Sequence, residues 1–178
     1  GIDIYLTASN IDAKLNNIEG VKTIISEFKT GRQINGFDAD IMGIDPAQYS
    51  GCSFEIFKNA DKYKMFNQLN NGRNIIVTTT FSKDTGKKAG DYVDLKTGSQ
   101  KYKYRITGVC SSFENMGKNL FISKKNVTDD LTSNSDRQYL IKVKQGFSPE
   151  HVLNKIKNAI RNDDYYELIT INDLMREN

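Results

Sequence analysis

The length and charge of the chain favour one soluble domain, or two small subdomains that share a core. It has 178 residues, with 25 Lys and Arg against 22 Asp and Glu and a net charge of +3. A chain of this size buries roughly 70% of its unfolded surface, so it needs neither a disulfide nor a metal to fold. The charge is too balanced to indicate a nucleic-acid partner.

Nothing in the sequence indicates a membrane span or a signal peptide, because no apolar run approaches the ~20 residues that cross a bilayer. The chain begins at Gly1 rather than Met. We therefore interpret it as a fragment, whose parent protein can still contain membrane segments.

The two cysteines, Cys52 and Cys110, match no zinc-site spacing. Both a disulfide between them and two buried thiols remain open.

The first third of the chain has the pattern β-α-β. Apolar residues alternate over residues 2–7, Asn10 is a candidate helix N-cap, and Gly20 is a candidate helix stop before a second strand at residues 21–28. The last third repeats the pattern. Its predicted elements are a strand at 139–143, a helix from Ser148-Pro149, a strand at 165–171 and a short helix capped by Asn172.

The middle of the chain is rich in short strands and turns. In the run 101–105 the basic residues alternate with tyrosines, which predicts a half-buried strand with one wet face. The other predicted elements are two Gly-bearing turns in 29–50 around a strand at 39–44, a helix at 58–71, a strand at 75–80, a turn-rich segment at 82–90, strands at 91–96 and 120–123, and a polar loop at 124–137.

These patterns predict an α+β fold. The two β-α-β ends would form a ferredoxin-like layer, and a small antiparallel β subdomain would be inserted between them. The expected boundaries give residues 1–45 and 136–178 as the two halves of the layer and residues 46–135 as the insertion.

The chemistry of an enzyme is missing from the sequence. The single histidine, His151, has no orienting carboxylate and no nucleophile beside it. Gly86-Lys87-Lys88 lacks the first Gly and the final Ser or Thr of a phosphate-binding loop. No acidic run matches a calcium loop. We therefore predict no catalytic, cofactor-binding or metal-binding residue and no cofactor.

Several short motifs, taken in order, resemble one known family. They are Gly90-Asp91 followed by alternating apolar residues, Ile106-Thr107-Gly108-Val109, and Gly117 followed by the apolar run that ends at Ser123. In this order they resemble the extracytoplasmic domain of MacB/FtsX-like ABC-transporter permeases. The segments at 16–21 and 169–174 resemble the entry and exit of that domain. Gly90, Asp91, Gly108 and Gly117 are expected to shape turns and close approaches rather than to bind anything.

The resemblance implies a domain on the extracytoplasmic side of the cell membrane, between two membrane helices of the parent protein. It further implies coupling of cytoplasmic ATP hydrolysis to movement or contact outside the membrane. The implied partners are an ATP-binding subunit, a second permease copy or half, and an extracytoplasmic protein, peptide or lipid, with no nucleic acid.

Two alternatives remain open at this stage. A free-standing secreted or surface binding module would have a cleavable signal peptide and no second membrane span. A hydrolase is disfavoured by the single histidine.

Polarity and turn content make the loops at 31–38 and 124–137 the candidate contact surfaces.

Overall fold

The computed structural model describes residues 2–49, 56–57, 62–111, 117–131, 135–160 and 166–177. Cys52 and the beginning of the helix predicted at 58–71 lie outside these ranges. The chain forms two compact units, one of Gly1–Ser26 with Asp136–Asn178 and one of Glu27–Ser135. The sequence predicts boundaries after residues 45 and 135. In the structure the chain divides after Ser26, within a long strand, and after Ser135.

The described residues form both strands and helices. The strands are β1 (Ile4–Ala8), β2 (Val21–Ile34), β3 (Phe37–Ile44), β4 (Ile56–Phe57), β5 (Asn74–Thr78), β6 (Tyr92–Thr97), β7 (Gln100–Ser111), β8 (Asn119–Ser123), β9 (Asp136–Val143) and β10 (Tyr166–Thr170). The helices are α1 (Pro46–Tyr49), α2 (Lys62–Asn67), α3 (Thr79–Thr85), α4 (Lys124–Asn126), α5 (Pro149–Ile160) and α6 (Ile171–Glu177). Short 3-10 turns lie at Asp12–Leu15 and Gln68–Asn70, and a π-helical turn lies at Val127–Leu131.

The first unit is a sheet with the strand order β10-β1-β9-β2. β1 is central and pairs antiparallel with both β10 and β9. The apolar face of α5 packs on this sheet through Val152, Ile156 and Ile160, whose spacing of four residues places them on one side of the helix. The predicted cap is present, since Ser148 Oγ accepts the backbone N–H of His151 at 3.1 Å.

The helix predicted after Asn10 is wrong. Only a single 3-10 turn, Asp12–Leu15, separates β1 from β2. Its position is fixed by Tyr139 of β9, whose hydroxyl donates to Asp12 Oδ1 at 2.7 Å and accepts the N–H of Ile11 at 3.0 Å. The first β-α-β unit of the prediction therefore lacks its α-helix.

The terminal helix also begins differently from the prediction. α6 follows β10 without a break. Thr170 Oγ1, rather than Asn172, accepts the N–H of Asp173 at 3.3 Å.

The second unit is a mixed sheet, and the prediction of a purely antiparallel subdomain is wrong. Its strand order is β2-β3-β8-β5-β7-β4, with β6 beside β7. The pairs β3–β8 and β5–β7 are parallel, whereas β2–β3, β5–β8, β6–β7 and β4–β7 are antiparallel. The structure is thus a mixed α/β fold around a large mixed sheet, consistent with the predicted α+β class.

Three predictions fail inside the second unit. β2 runs through Gly31 to Ile34, so Gly31 is not in a turn. The turn-rich segment at 82–90 begins as the helix α3, capped where Thr78 Oγ1 accepts the N–H of Phe81 at 3.2 Å. The polar loop at 124–137 contains α4, the π-helical turn and the start of β9.

The hairpin β2–β3 turns at Asn35-Gly36, where both residues have positive φ, 53° and 78°. This backbone matches a two-residue type I′ turn, and Asn-Gly is the sequence that this turn prefers.

Strand residues on one side of the second unit bury a core with the α3 residue Phe81. Its fully or nearly buried members include Ile41, Ile75, Tyr104, Ile106, Leu120 and Val127.

Candidate contact surfaces

The Gly90-Asp91 step forms a tight turn that joins α3 to β6. Gly90 has a φ of +94°, and Asp91 Oδ2 accepts the N–H of Lys88 at 2.9 Å. The backbone on either side pairs with Ile106, since Gly90 N–H donates to Ile106 O at 2.8 Å and Ile106 N–H donates to Asp91 O at 2.8 Å. The turn therefore sets the register in which β6 begins beside β7, with Tyr92 opposite Arg105.

Gly108 lies next to a bulge in β7. The register with β5 shifts there, because Ile75 pairs with Ile106 whereas Ile76 pairs with Gly108. A Cβ at Gly108 would lie 2.6 Å from Met65 Cγ. The glycine allows the Met65 side chain to pack against the strand.

Gly117 has a φ of +79°, and its carbonyl accepts the hydroxyl of Thr78 at 2.5 Å. The same hydroxyl oxygen caps α3. Gly90, Asp91, Gly108 and Gly117 thus each serve a turn or a close approach of the second unit.

The first predicted contact segment, 31–38, lies at the end of the hairpin β2–β3. An open depression of about 500 Å³ adjoins it, lined by residues that include Arg32, Asp38, Asp40 and Lys118. Arg32 Nη1 donates locally, to Thr30 Oγ1 at 2.7 Å and to Gly31 O at 2.8 Å. Charges of both signs alternate here, which does not define a ligand of one charge.

The second predicted contact segment, 124–137, contains an ion pair in which the acidic partner is buried and the basic partner is half-exposed. Arg73 Nε and Nη2 donate to the two oxygens of Asp130 at 2.8 and 3.1 Å. Tyr104 Oη donates to Asp130 Oδ2 at 2.5 Å. The Asp130 side chain is only 3% exposed, whereas that of Arg73 is 50% exposed. Asp130 thus joins the π-helical turn to β7 and to the residue that precedes β5.

The electrostatics of this cluster follow from its geometry. Burial raises the pKa of the Asp130 carboxyl, but hydrogen bonds from Arg73 and Tyr104 lower it more, and the net pKa lies below the ordinary 3.8. Burial, followed by the hydrogen bond to Asp130, raises the pKa of Tyr104 well above its ordinary value. The sequence predicts a polar loop at 124–137, in which Asp130 would be exposed to solvent. The spacing of Val127 and Leu131 suits one apolar face of a helix and could have indicated a helical turn around Asp130.

A third surface is formed by alternate residues of β6 and β7, and we call it the β6–β7 face. All of its side chains are exposed; they are Tyr92, Asp94, Lys96, Lys101, Lys103 and Arg105. Their strand neighbours Val93, Leu95, Tyr104 and Ile106 point to the opposite side, into the core. This arrangement confirms the predicted wet face of the run 101–105.

The edge of the β6–β7 face adjoins a smaller depression. It has a volume of about 320 Å³ and is lined by Gln68, Ala89, Gly90, Arg105, Ile106 and Thr107. Arg105 therefore belongs both to the face and to the wall of this depression.

The single histidine lies at the surface of the first unit. His151 is exposed at the first turn of α5, with its ring 6.5 Å from that of Phe147. Cys110 is buried. Among the described residues no three of His, Cys, Asp and Glu cluster as metal ligands would, and no helix is long and apolar enough to span a membrane.

The fold is that of the domains that ABC-transporter permeases carry outside the membrane, as the sequence resemblance predicts. The periplasmic region of MacB from Actinobacillus actinomycetemcomitans is similar over 98% of this chain and 91% of its own, with a TM-score of 0.56 and 12% identity. The extracellular domain of the ABC-type transporter YknZ from Gram-positive bacteria is similar over 94% of this chain and 98% of its own, with a TM-score of 0.58 and 13% identity.

A domain assigned to a permease protein from Porphyromonas gingivalis is similar over 94% of this chain and 88% of its own, with a TM-score of 0.53 and 12% identity. At these identities the likeness concerns the fold alone. No family model matches the sequence, and no curated protein matches it.

Proposed function

We propose that the chain is the extracytoplasmic domain of an ABC-transporter permease and couples cytoplasmic ATP hydrolysis to movement or contact outside the membrane. One observation carries this proposal: the fold of three such domains covers 94–98% of the chain, so both compact units are included. A match limited to one unit would be expected for a shared, widespread subdomain.

The first unit would be the porter-like layer of this domain. Its strand order β10-β1-β9-β2 interleaves strands from the two ends of the chain, as a split β-α-β layer requires. With the single helical crossover α5 and the short turn Asp12–Leu15, this unit would be a reduced form of the ferredoxin-like pattern. The second unit would be the inserted head, with boundaries at Ser26 and Ser135 in place of those expected from the sequence.

The partners under this proposal are an ATP-binding subunit, reached through the membrane part of the parent protein, and a second permease copy or half. No residue of the chain is given a catalytic role, because transmission through contact needs stiff units and not a reactive group. The alternative is a free-standing secreted or surface binding module, which the same fold would also allow.

The test is purification of the tagged full-length parent protein from membranes. We expect an ATP-hydrolysing protein to copurify with it. The 178-residue chain with the same tag serves as the control and should retrieve no ATPase, because the proposed contact with the ATPase runs through the membrane part of the parent protein. A parent protein that is recovered from the medium, without an ATPase, would contradict the proposal and support the secreted module.

A further inference from the structure

The β6–β7 face has a strong excess of positive charge. Lys96, Lys101, Lys103 and Arg105 stand against one acidic residue, Asp94. None of these four cations forms an ion pair within 4.0 Å with another described residue, although Asp94 lies directly opposite Lys103 in the strand register. Four neighbouring cations on one face repel one another, so binding of an anionic partner there would relieve this repulsion.

The same face contains an exposed aromatic ring. Tyr92 is 47% exposed, and among the described residues it is the one large hydrophobic side chain that is mainly exposed to solvent. Lys103 Nζ lies 4.7 Å from the centre of its ring. A tyrosine beside lysines combines an apolar body, a polar tip and long cationic stems, which is the composition favoured at a membrane interface.

The four cations are spaced over the β6–β7 face and do not converge on one point. Strand neighbours lie about 4.8 Å apart, and side chains on one face recur every second residue, about 7 Å along each strand. This spacing suits several separate anionic groups better than it suits one small ion. The depression beside Arg105, about 320 Å³ in volume, adds space for a single headgroup at the edge of the β6–β7 face.

We propose that the β6–β7 face docks the chain onto a phospholipid surface that carries anionic headgroups. Lys96, Lys101, Lys103 and Arg105 attract the headgroup phosphates, and Tyr92 inserts its ring between the headgroups. A single-stranded nucleic acid fits less well, because base stacking needs successive exposed rings. Tyr102 and Tyr104 lie on the other side of β7, against the core.

This inference rests on the proposed function, which places the chain beside a lipid surface, but its test does not use the parent protein. The 178-residue chain is sedimented with vesicles of phosphatidylcholine mixed with phosphatidylglycerol, and with vesicles of phosphatidylcholine alone. We expect binding to the mixed vesicles only, and weaker binding as sodium chloride is added, because salt screens the attraction.

The decisive variant is Lys101→Gln with Lys103→Gln. Each cation lost near an anionic surface weakens binding about fivefold, so the double variant should bind about 25-fold more weakly. Its matched control is Lys83→Gln with Lys157→Gln, which removes two exposed cations from α3 and α5. Circular dichroism checks that both double variants are folded.

The outcomes separate the possible occupants. Equal binding to both vesicle types, no binding to either, or equal loss in the two double variants would each overturn the proposal. Release by inorganic phosphate, at an ionic strength where sodium chloride does not release the chain, would indicate a site for a free phosphate ion and would also overturn it. Failure here while the parent protein still copurifies with an ATPase would leave the proposed function standing.

Discussion

The surroundings of Asp130 differ from what its sequence context indicates. Its neighbour Asp129 is exposed and pairs with Lys125 one helical turn away, at 2.6 Å. Asp130 is buried and binds Arg73 and Tyr104 from elsewhere in the second unit. Adjacent residues on a helical turn face different directions, so two identical acids in sequence have opposite environments.

The pair provides a matched test at the scale of single residues. Asp130→Asn should lower the free energy of unfolding by about 2 kcal/mol, because Arg73 loses its charged partner and Tyr104 a strong acceptor. Asp129→Asn should lower it by less than about 0.5 kcal/mol, since exposed ion pairs contribute little. Urea unfolding near neutral pH measures both. Equal effects for the two variants would show that Asp130 does not hold the π-helical turn.

The same variant has an expected pH dependence. The pKa of Asp130 in the folded chain is lower than its ordinary value of 3.8. Its ionised form therefore stabilises the fold at all pH values above 3.8, and this contribution is lost as the pH falls through the lower, folded-state pKa. The difference in unfolding free energy between the wild-type chain and Asp130→Asn should accordingly narrow below pH 3.8. If the difference between the two free energies widened below pH 3.8, the result would contradict a lowered pKa of Asp130 in the folded chain.

At the scale of elements, two glycines in the hairpin β2–β3 make different demands on their surroundings. A Cβ at Gly43 would lie 2.5 Å from Val127 Cγ2 and 3.0 Å from Phe28 Cβ, its partner across the strands. At Gly31 the nearest atom would be Asp40 Oδ1, at 4.0 Å. Gly43 is thus a close-packing position, whereas Gly31 has ordinary strand geometry and open space.

Gly43→Ala should therefore lower the free energy of unfolding by about 2 kcal/mol, because a branched valine and a strand backbone must shift. Gly31→Ala should be neutral or stabilising by up to about 1 kcal/mol, because alanine restricts the unfolded chain. Thermal or urea unfolding compares them. Comparable losses for both would mean that the strand itself requires glycine, independently of Val127.

Elements with strict local periodicity were predictable from the sequence, and those set by distant partners were not. The alternation in β6 and β7 and the cap and apolar face of α5 are local, and the structure contains them. The segment after Asn10 is a 3-10 turn because Tyr139, far along the chain, binds it. The helix α3 follows β5 because Thr78 caps it, although three threonines in a row favour a strand.

The candidate sites show the same limit. The exposed cations of the β6–β7 face follow from alternation. Asn35-Gly36 is the preferred sequence of a type I′ hairpin turn and is a local sign of the turn between β2 and β3. The pair of Arg73 with Asp130 spans 57 positions and has no local sign. The same alternation places Tyr92 on the side of β6 that carries Asp94 and Lys96.

At the scale of the whole molecule, the proposed function requires that the chain lies outside the membrane and that its parent protein is anchored in that membrane. The fold of both units is similar to that of three solved domains at 12–13% identity. Position in the cell is independent of fold and can be measured directly. A thiol at the β6–β7 turn is suitable, because Ser99 is exposed there and Cys110 is buried.

The most direct measurement is labelling of the full-length parent protein carrying Ser99→Cys with a membrane-impermeant thiol reagent, in intact cells and after lysis. The parent protein without this cysteine gives the background. Our account predicts equal labelling in intact and lysed cells, with the labelled protein retained in membranes after an alkaline wash. Labelling that requires lysis, or a labelled protein that the wash releases, would contradict it.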